Sequence, residues 1–140
     1  MSQTLKIGDW TKQGLSFYSG AVSYRTNIKV NLKNKQKLML RVPSYQGTAV
    51  RVWVNSKPVG VIAWQPNEVE ITDYLSGSHD EIAIEVFSHR ANSHGPLHLD
   101  GPKSPWMGPE QFVTQGSHWK DTYQLIPCGL ISEPELIVKQ

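Results

Sequence analysis

Apolar and polar residues alternate along four segments of the chain, which is the pattern of β-strands that bury one face. In the cleanest segment, the apolar residues at positions 82, 84 and 86 alternate with Glu81 and Glu85. The four segments are residues 21–32, 37–42, 50–54 and 81–87. Short strands at a spacing of roughly ten residues predict an all-β fold, an antiparallel sandwich or barrel.

Turn-forming residues separate these segments. Residues 43–47 and 55–58 are rich in Pro, Gly, Asn and Ser, which tolerate bends. One short helical turn is predicted at residues 72–75, with Thr72 as its cap and Gly77 after its end. No helix longer than two turns is supported anywhere in the chain.

Residues 88–116 break the strand rhythm. This segment carries four of the nine prolines, three of the five histidines and Trp106. A Pro-, Gly- and His-rich loop of this length is uncommon inside a compact domain, and such loops are usually functional or form an interface. Regular structure is predicted to resume at residues 122–126 and to end at residues 135–138.

Composition agrees with a folded β protein. Val and Ile total 21 residues whereas Leu and Ala total 16, and β-branched residues favour pleated strands over helices. Val, Ile, Leu and Phe make up 35 of the 140 residues, and the net charge is only +2, so a hydrophobic core is expected. The length suits a single domain over residues 1–140.

Several classes of protein are disfavoured on the same grounds. The charge gives no clustered basic face for nucleic acid, and the longest apolar stretch, residues 59–64, is far too short to span a membrane. A single cysteine cannot form an internal disulfide. No secretory signal is visible, but strand patterning that starts directly after Met1-Ser2 suggests a domain excised from a larger protein, so the compartment stays open.

Four motifs follow one another along the chain. They are Tyr24-Arg25-Thr26, Val52-Trp53-Val54-Asn55-Ser56-Lys57-Pro58-Val59-Gly60, Ile71-Thr72-Asp73-Tyr74-Leu75 and Glu81-Ile82-Ala83-Ile84-Glu85-Val86. Their flanks are Gly8-Asp9-Trp10, Phe17-Tyr18-Ser19-Gly20 and a closing Tyr123, Leu125, Pro127, Gly129 and Leu130. In this order, over residues 5–138, they resemble the galactose-binding-like (jelly-roll) domains of bacterial glycoside hydrolases. The flanks resemble the C-terminal version found in large enzymes of the rhamnosidase and β-galactosidase type.

The resemblance implies an antiparallel β-sandwich that binds carbohydrate or shapes the cleft of a parent enzyme without being catalytic itself. Two turns depart from the family pattern: Ser56 stands where the family has glycine, and His79-Asp80 replaces a glycine–asparagine pair. A left-handed Ser56 would carry modest strain. Sugar-binding jelly rolls often hold a structural calcium, so the resemblance leaves a calcium site open, although no Asp- and Asn-rich loop stands out. No other cofactor is expected.

The acidic residues do not form a recognisable catalytic pair. A glycosidase needs two carboxyl groups that face one glycosidic bond. The closest pairs, Glu68 with Glu70 and Glu133 with Glu135, have the period-two spacing of a solvated strand face. Cys128 has no patterned histidine near it and is interpreted as a small buried hydrophobic residue.

The long loop contains the residues that are best suited to recognition. His94, His98 and Asp100 together could bind a transition metal, but Gly95-Pro96 disfavours the helix that would bring the two imidazoles together. Aromatic rings stack on the apolar faces of sugars while His and Asp bind hydroxyl groups. The predicted carbohydrate-binding residues are therefore Trp64, His94, His98, Asp100 and Trp106.

Two alternatives stay open for this loop. It could instead cover another domain of the same polypeptide, with its aromatic residues buried at that interface, and the domain would then be a purely structural scaffold. Trp64 and Trp106 suit either interpretation, whereas Trp10, Trp53 and Trp119 are predicted to pack in the core or between sheets.

Overall fold

The computed structural model describes residues 4–101 and 107–140. In this part of the chain the strands are β1 (Ala21–Ile28), β2 (Lys37–Arg41), β3 (Tyr45–Gln46), β4 (Ala49–Val54), β5 (Lys57–Ile62), β6 (Glu68–Glu70), β7 (Asp80–Phe87), β8 (Gly129–Leu130) and β9 (Glu135–Lys139). One four-residue helix, α1 (Ala91–His94), and 3₁₀ turns at Trp10–Gln13, Thr72–Tyr74 and Pro109–Gln111 complete the regular structure there. The protein is mostly β, with antiparallel sheets and barely any helix, as predicted.

The larger sheet has four antiparallel strands in the order β1-β7-β4-β5. Strand β7 pairs with β1 from Ala21↔Phe87 to Ile28↔Asp80, and with β4 from Ala49↔Phe87 to Val54↔Ile82. Because β5 pairs Ile62 with Val50, the residues Ala21, Ala49, Ile62 and Phe87 all lie at one end of this sheet, which we call the Phe87 end.

A second sheet has three antiparallel strands in the order β6-β2-β9, and β3 pairs with β8 in a short two-stranded ladder. Alternation buries one face of each larger sheet: Val52 of β4 is fully buried, and Leu38 and Leu40 of β2 are buried as well. Both sheets contribute to one hydrophobic core. Its buried members are Trp10, Leu38, Leu40, Val42, Val50, Val52, Val54, Ile62, Ile71, Ile82, Ile84, Val86, Cys128 and Leu130.

The turn between β4 and β5 has an unusual backbone. Asn55 and Ser56 adopt φ angles of 50° and 63°, so the left-handed Ser56 expected from the sequence is present. In a turn, the side chain of an asparagine such as Asn55 often bonds its own backbone. Instead its Nδ2 donates to Asp80 Oδ1 at 2.7 Å and its Oδ1 accepts from Glu81 N, because β7 begins beside the turn.

Gly60 permits both a bulge and a close approach. The β4–β5 register shifts beside Val52↔Gly60, and a Cβ atom on Gly60 would lie 3.2 Å from Val69 Cγ2. The predictions of a helical turn near Thr72 and of a buried Cys128 are confirmed, but Thr72 is the first residue of the turn and Ile71 is its cap.

Several predicted boundaries were wrong. The first strand ends at Ile28 rather than at residue 32, and residues 122–126 form no strand. Backbone groups there bind loop partners instead, as when Gln124 N donates to Leu97 O at 2.6 Å. Strand β5 was not predicted, because it contains Pro58 and Gly60, which weaken a strand pattern. Strand β6, which has three residues, was not predicted either.

Candidate functional site

The long segment that follows β7 is anchored to the body of the protein at the Phe87 end. Asn92, which is 4% exposed, donates from Nδ2 to Ile126 O and accepts at Oδ1 from Ile126 N, both at 2.7 Å. His89 Nε2 donates to Pro127 O at 3.1 Å. These bonds imitate a strand pairing, so they fix the segment without a regular sheet.

Beyond these anchors, the segment pairs with the chain that returns toward β8. Lys120 N donates to His98 O and Asp100 N donates to His118 O, at 2.8 and 2.7 Å. Leu99 and Trp119 form an isolated antiparallel bridge. We call residues 97–101 together with 118–124 the loop ribbon. Backbone hydrogen bonds thus order residues 97–100 of the segment that the sequence predicts as a loop.

Three rings of this ribbon and the ring of Phe17 contact one another in series. His98 stacks on Trp119 with 5.6 Å between ring centroids and an interplanar angle of 18°. Tyr123 lies 5.1 Å from His98 on one side and 5.1 Å from Phe17 on the other. Phe17 and Tyr123 are 45% and 57% exposed. We call Phe17, Tyr123, His98 and Trp119 the aromatic row.

Polar groups border the row. His98 Nδ1 lies 2.8 Å from Lys120 O. Because a carbonyl oxygen can only accept, Nδ1 carries the hydrogen, and in the neutral ring Nε2 is an acceptor. Asp100 Oδ2 lies 3.7 Å from Lys120 Nζ, and both side chains are about half exposed. The row therefore offers two aromatic side chains that are about half exposed and a histidine acceptor, with a solvated ion pair on the same ribbon.

The structure places the predicted site residues in different surroundings. His98 belongs to the aromatic row, and Asp100 pairs with Lys120, the residue after Trp119. His94 lies at the end of α1, where its Nδ1 is 2.7 Å from Ser93 Oγ. Trp64 follows β5 at the Phe87 end and is 80% exposed, but it makes no ring contact with the row within the described chain. Trp106 lies outside the described residues.

Three members of the row were not among the predicted site residues. Trp119 was predicted to be a core residue but is only half-buried, and Phe17 and Tyr123 were noted only as parts of flanking motifs. Phe17 lies about a hundred residues from Trp119 and Tyr123 in sequence, and hydrophobic periodicity carries no signal for contacts between loops. An excess of aromatic residues outside the strands was the one available indication.

Trp53 also differs from its expected place in the core. Its ring lies on the outer face of the larger sheet, where Nε1 donates to Glu85 Oε2 and the Arg51 guanidinium lies 5.7 Å from the ring centroid. This face forms a shallow groove of about 290 Å³. Its charges are already paired, with Arg25 to Glu81 at 3.4 Å and Arg51 to Glu85 at 3.8 Å. We therefore rank it below the aromatic row as a site.

The acidic residues that come closest to a catalytic pair are held in ion pairs. Glu68 is bound by Lys139 at 2.7 Å and by Arg41, and both contacts lower the pKa of its carboxyl group. The Lys37 ammonium likewise lowers the pKa of Glu70. A general acid for glycoside cleavage needs the opposite shift, because its carboxyl group must stay protonated near neutral pH.

The described residues contain neither a metal-ligand cluster nor a membrane-spanning helix. Within residues 4–101 and 107–140, no three His, Cys, Asp or Glu side chains gather as a metal site would require. None of the helices described is long and apolar enough to cross a bilayer.

Known proteins are similar to this chain in sequence or in fold. No family model matches the chain. A β-galactosidase from Clostridium acetobutylicum is 39% identical over 112 residues, which is 76% of this chain and 11% of that enzyme. The chain thus spans about a tenth of this curated relative and matches a small, domain-sized portion of it.

Solved structures support the same fold. A rhamnosidase from Novosphingobium sp. PP1Y superposes with a TM-score of 0.63 at 22% identity, covering 90% of this chain and 12% of that one. An FMN-binding β-glucuronidase from Facaelibacterium prausnitzii L2-6 superposes with a TM-score of 0.58 at 17% identity, covering 97% of this chain and 19% of that one. At these identities the likeness concerns the fold alone.

Proposed function

We propose that this chain is a non-catalytic accessory domain of a larger glycoside hydrolase, with a galactose-binding-like sandwich fold, and that its aromatic row binds carbohydrate. The enzymes it matches are many times longer than the chain, which supports a role as one part of such an enzyme. A bacterial glycoside hydrolase is the source we propose, because the matched relative comes from Clostridium acetobutylicum.

The observation that carries the sugar-binding proposal is the exposure of the aromatic row. Two of its rings present about half of their surface to solvent, although burial of a large ring is normally favourable. A pyranose ring has one apolar face that stacks on such rings, and its hydroxyl groups would bind His98 Nε2 and the Asp100–Lys120 pair. Trp64, which is 80% exposed, is proposed as a further carbohydrate contact.

The proposal that the domain itself is not catalytic rests on how its acids are used. Glu68 and Glu70 are tied to cations, and Asp80 is buried in a structural hydrogen-bond cluster. Each of these three carboxyl groups has a lowered pKa, so each is ionised at neutral pH. Such groups stabilise a fold and cannot donate a proton to a leaving group.

Titration of the protein with sugars tests the binding proposal. We expect millimolar rhamnose, galactose or oligosaccharides from plant polysaccharides to produce heat in calorimetry and to quench the fluorescence of Trp119. Tyr123→Ala should weaken binding at least fivefold, since a stacked ring is worth about 1 kcal/mol or more. Phe112→Ala is a matched control, because Phe112 is 56% exposed and makes no ring contact with the row in the part of the chain described.

The second candidate function is a purely structural scaffold that packs against another domain. Its support is the segment after the undescribed residues, where Met107, Phe112 and Val113 are 49%, 56% and 41% exposed. Large exposed apolar side chains that are close together in sequence suit a protein interface better than a sugar. Flat titrations with every sugar at millimolar concentration would refute glycan binding and leave this scaffold function.

A further inference from the structure

Strand β9 is an edge strand with a free side. It pairs with β2 from Lys37↔Lys139 to Arg41↔Glu135, and no second strand pairs with it among the residues the structure describes. Edge strands present unpaired N–H and C=O groups that can pair with another extended chain. A short edge strand with charged ends is usually protected by those charges, so their arrangement decides whether pairing can occur.

The inward side of β9 is apolar and uncovered. Leu136 and Val138 pair with Leu40 and Leu38, and residues directly opposite in an antiparallel ladder share a face. Leu38 and Leu40 are 1% and 2% exposed, whereas Leu136 and Val138 are 40% and 49% exposed. The core therefore stops at β2, and two side chains of core character remain in contact with water.

The charges of β9 are complementary to themselves. Its sequence is Glu135-Leu136-Ile137-Val138-Lys139, with an acid at one end and a base at the other. An antiparallel pairing of two copies around a two-fold axis at Ile137 places Glu135 of each copy opposite Lys139 of the other copy. The same register places Leu136 opposite a second Val138, and it leaves Pro134, which has no N–H, outside the ladder.

We propose that β9 is a homodimer interface, at which two copies of this chain join their three-stranded sheets into one continuous antiparallel sheet. A second copy fits this edge because the isologous contact places opposite charges opposite each other and brings both apolar positions together. Glu135 and Lys139 also pair within their own chain, with Arg41 at 3.5 Å and Glu68 at 2.7 Å. The charged ends remain accessible, since the side chains of Glu135 and Lys139 are 53% and 48% exposed. The far edge of the larger sheet, β5, is less suited because Pro58 cannot donate to a ladder.

Sedimentation of the 140-residue protein over a range of concentrations tests the interface. A five-residue ladder is small, so we expect a weak, reversible dimer that approaches twice the monomer mass of 15.8 kDa at high micromolar to millimolar concentration. A protein that remains monomeric at 1 mM would overturn the proposal.

Charge-reversal variants test whether Glu135 and Lys139 act in the dimer interface or only within their own chain. Glu135→Lys and Lys139→Glu should each weaken the dimer by roughly tenfold, because both cross-strand pairs become like-charged. Mixing the two variants should restore a one-to-one heterodimer, since every lysine then faces a glutamate. Lys29→Glu is the matched control and should dimerise like the wild type, because Lys29 lies outside both β9 and its partner strand.

The mixing experiment also controls for damage within each chain. Glu135 lies 3.5 Å from Arg41, and Lys139 lies 2.7 Å from Glu68, so each variant loses an internal ion pair. That loss persists in the mixture, whereas the intermolecular pairs return. A wild-type dimer that neither variant weakens, or variants that fail to associate when mixed although circular dichroism shows both folded, would overturn the proposal.

Discussion

Asp80 shows how single polar residues hold this fold together where strands begin. It is 1% exposed, and its Oδ1 accepts hydrogen bonds from Asn55 Nδ2 and Ser76 N, both at 2.7 Å. Burial by itself would raise the pKa of Asp80, but the hydrogen bonds from Asn55 and Ser76 outweigh it and the pKa is lowered. The carboxylate therefore links the β4–β5 turn to the start of β7.

Asp80→Asn should destabilise the protein by about 1.5–3 kcal/mol at pH 7, because hydrogen bonds to an ionised group are lost. The folded-state pKa is lowered, so this stabilisation is complete above the unfolded pKa, near about pH 4, and is lost as pH falls through the folded-state pKa. Urea denaturation at pH 7 and at lower pH should show the difference between wild type and variant shrinking in acid. Asp73→Asn, at an exposed aspartate, is the control; an equal difference at every pH would contradict the role of the charge.

At the residue scale, burial was easier to predict than partners. Alternation in residues 50–54 and 81–87 identified Val52, Ile82 and Ile84 as inward-facing, since a strand has only two faces. The partners of Asn55 and Asp80 could not be predicted, because they lie 25 positions apart and meet only when β7 pairs with β4.

Among the elements, the β4–β5 hairpin carries a local conflict between sequence and backbone. Its two-residue turn has positive φ at both positions, which favours glycine at the second. Ser56 pays a steric cost there because its Cβ crowds the backbone in the left-handed region.

Ser56→Gly should therefore stabilise the protein by about 0.5–1 kcal/mol, since the relief of strain exceeds the extra flexibility of glycine in the unfolded chain. Chemical denaturation would measure it as a higher midpoint with an unchanged slope. Ser78→Gly serves as the control, because Ser78 is exposed and has no positive φ, and it should give no gain. A loss of stability in Ser56→Gly would show that the turn is not strained.

The segment that carries the loop ribbon is anchored by the side chain of Asn92, which binds both backbone groups of Ile126. Asn92→Asp keeps the acceptor for Ile126 N but replaces the donor to Ile126 O with a second acceptor. We expect a cost of about 1–3 kcal/mol, concentrated in local opening of the ribbon. Hydrogen exchange of the Lys120 and Asp100 amides should accelerate more than that of β7 amides; uniform acceleration would contradict a local role.

The hydrophobic pattern predicted the type of the main strands, but it did not predict the structure of the long loop. Strands β4 and β7 alternate cleanly because they bury one face, and they were predicted within a residue or so. The described part of residues 88–116 buries no regular face, so its order comes from bonds such as that between Asn92 and Ile126, which no period reveals. The aromatic row, built on this ribbon, was accordingly recognised only at His98 and its neighbour Asp100.

For the molecule as a whole, Cys128 is a natural reporter of global unfolding. Its side chain is 1% exposed within the core formed by both sheets, and burial raises the pKa of the thiol. Both effects suppress thiolate chemistry in the native state.

A thiol reagent such as DTNB should react with native Cys128 about 10³-fold more slowly than with the unfolded chain in urea, since only opened molecules expose it. The reaction should speed up with added urea in parallel with the loss of tertiary structure. Ser78→Cys provides an exposed thiol as the positive control and should react at once. Rapid labelling of native Cys128 would show that the core opens locally near β8.

Three rings of the aromatic row, those of His98, Trp119 and Tyr123, lie on a detour of the chain between β7 and β8, whereas Phe17 precedes β1. Asn92 and His89 tether this detour. Replacing its rings would leave the strand ladders unchanged. Substitutions in this detour, natural or engineered, can therefore change which molecules the surface binds while the strands stay the same.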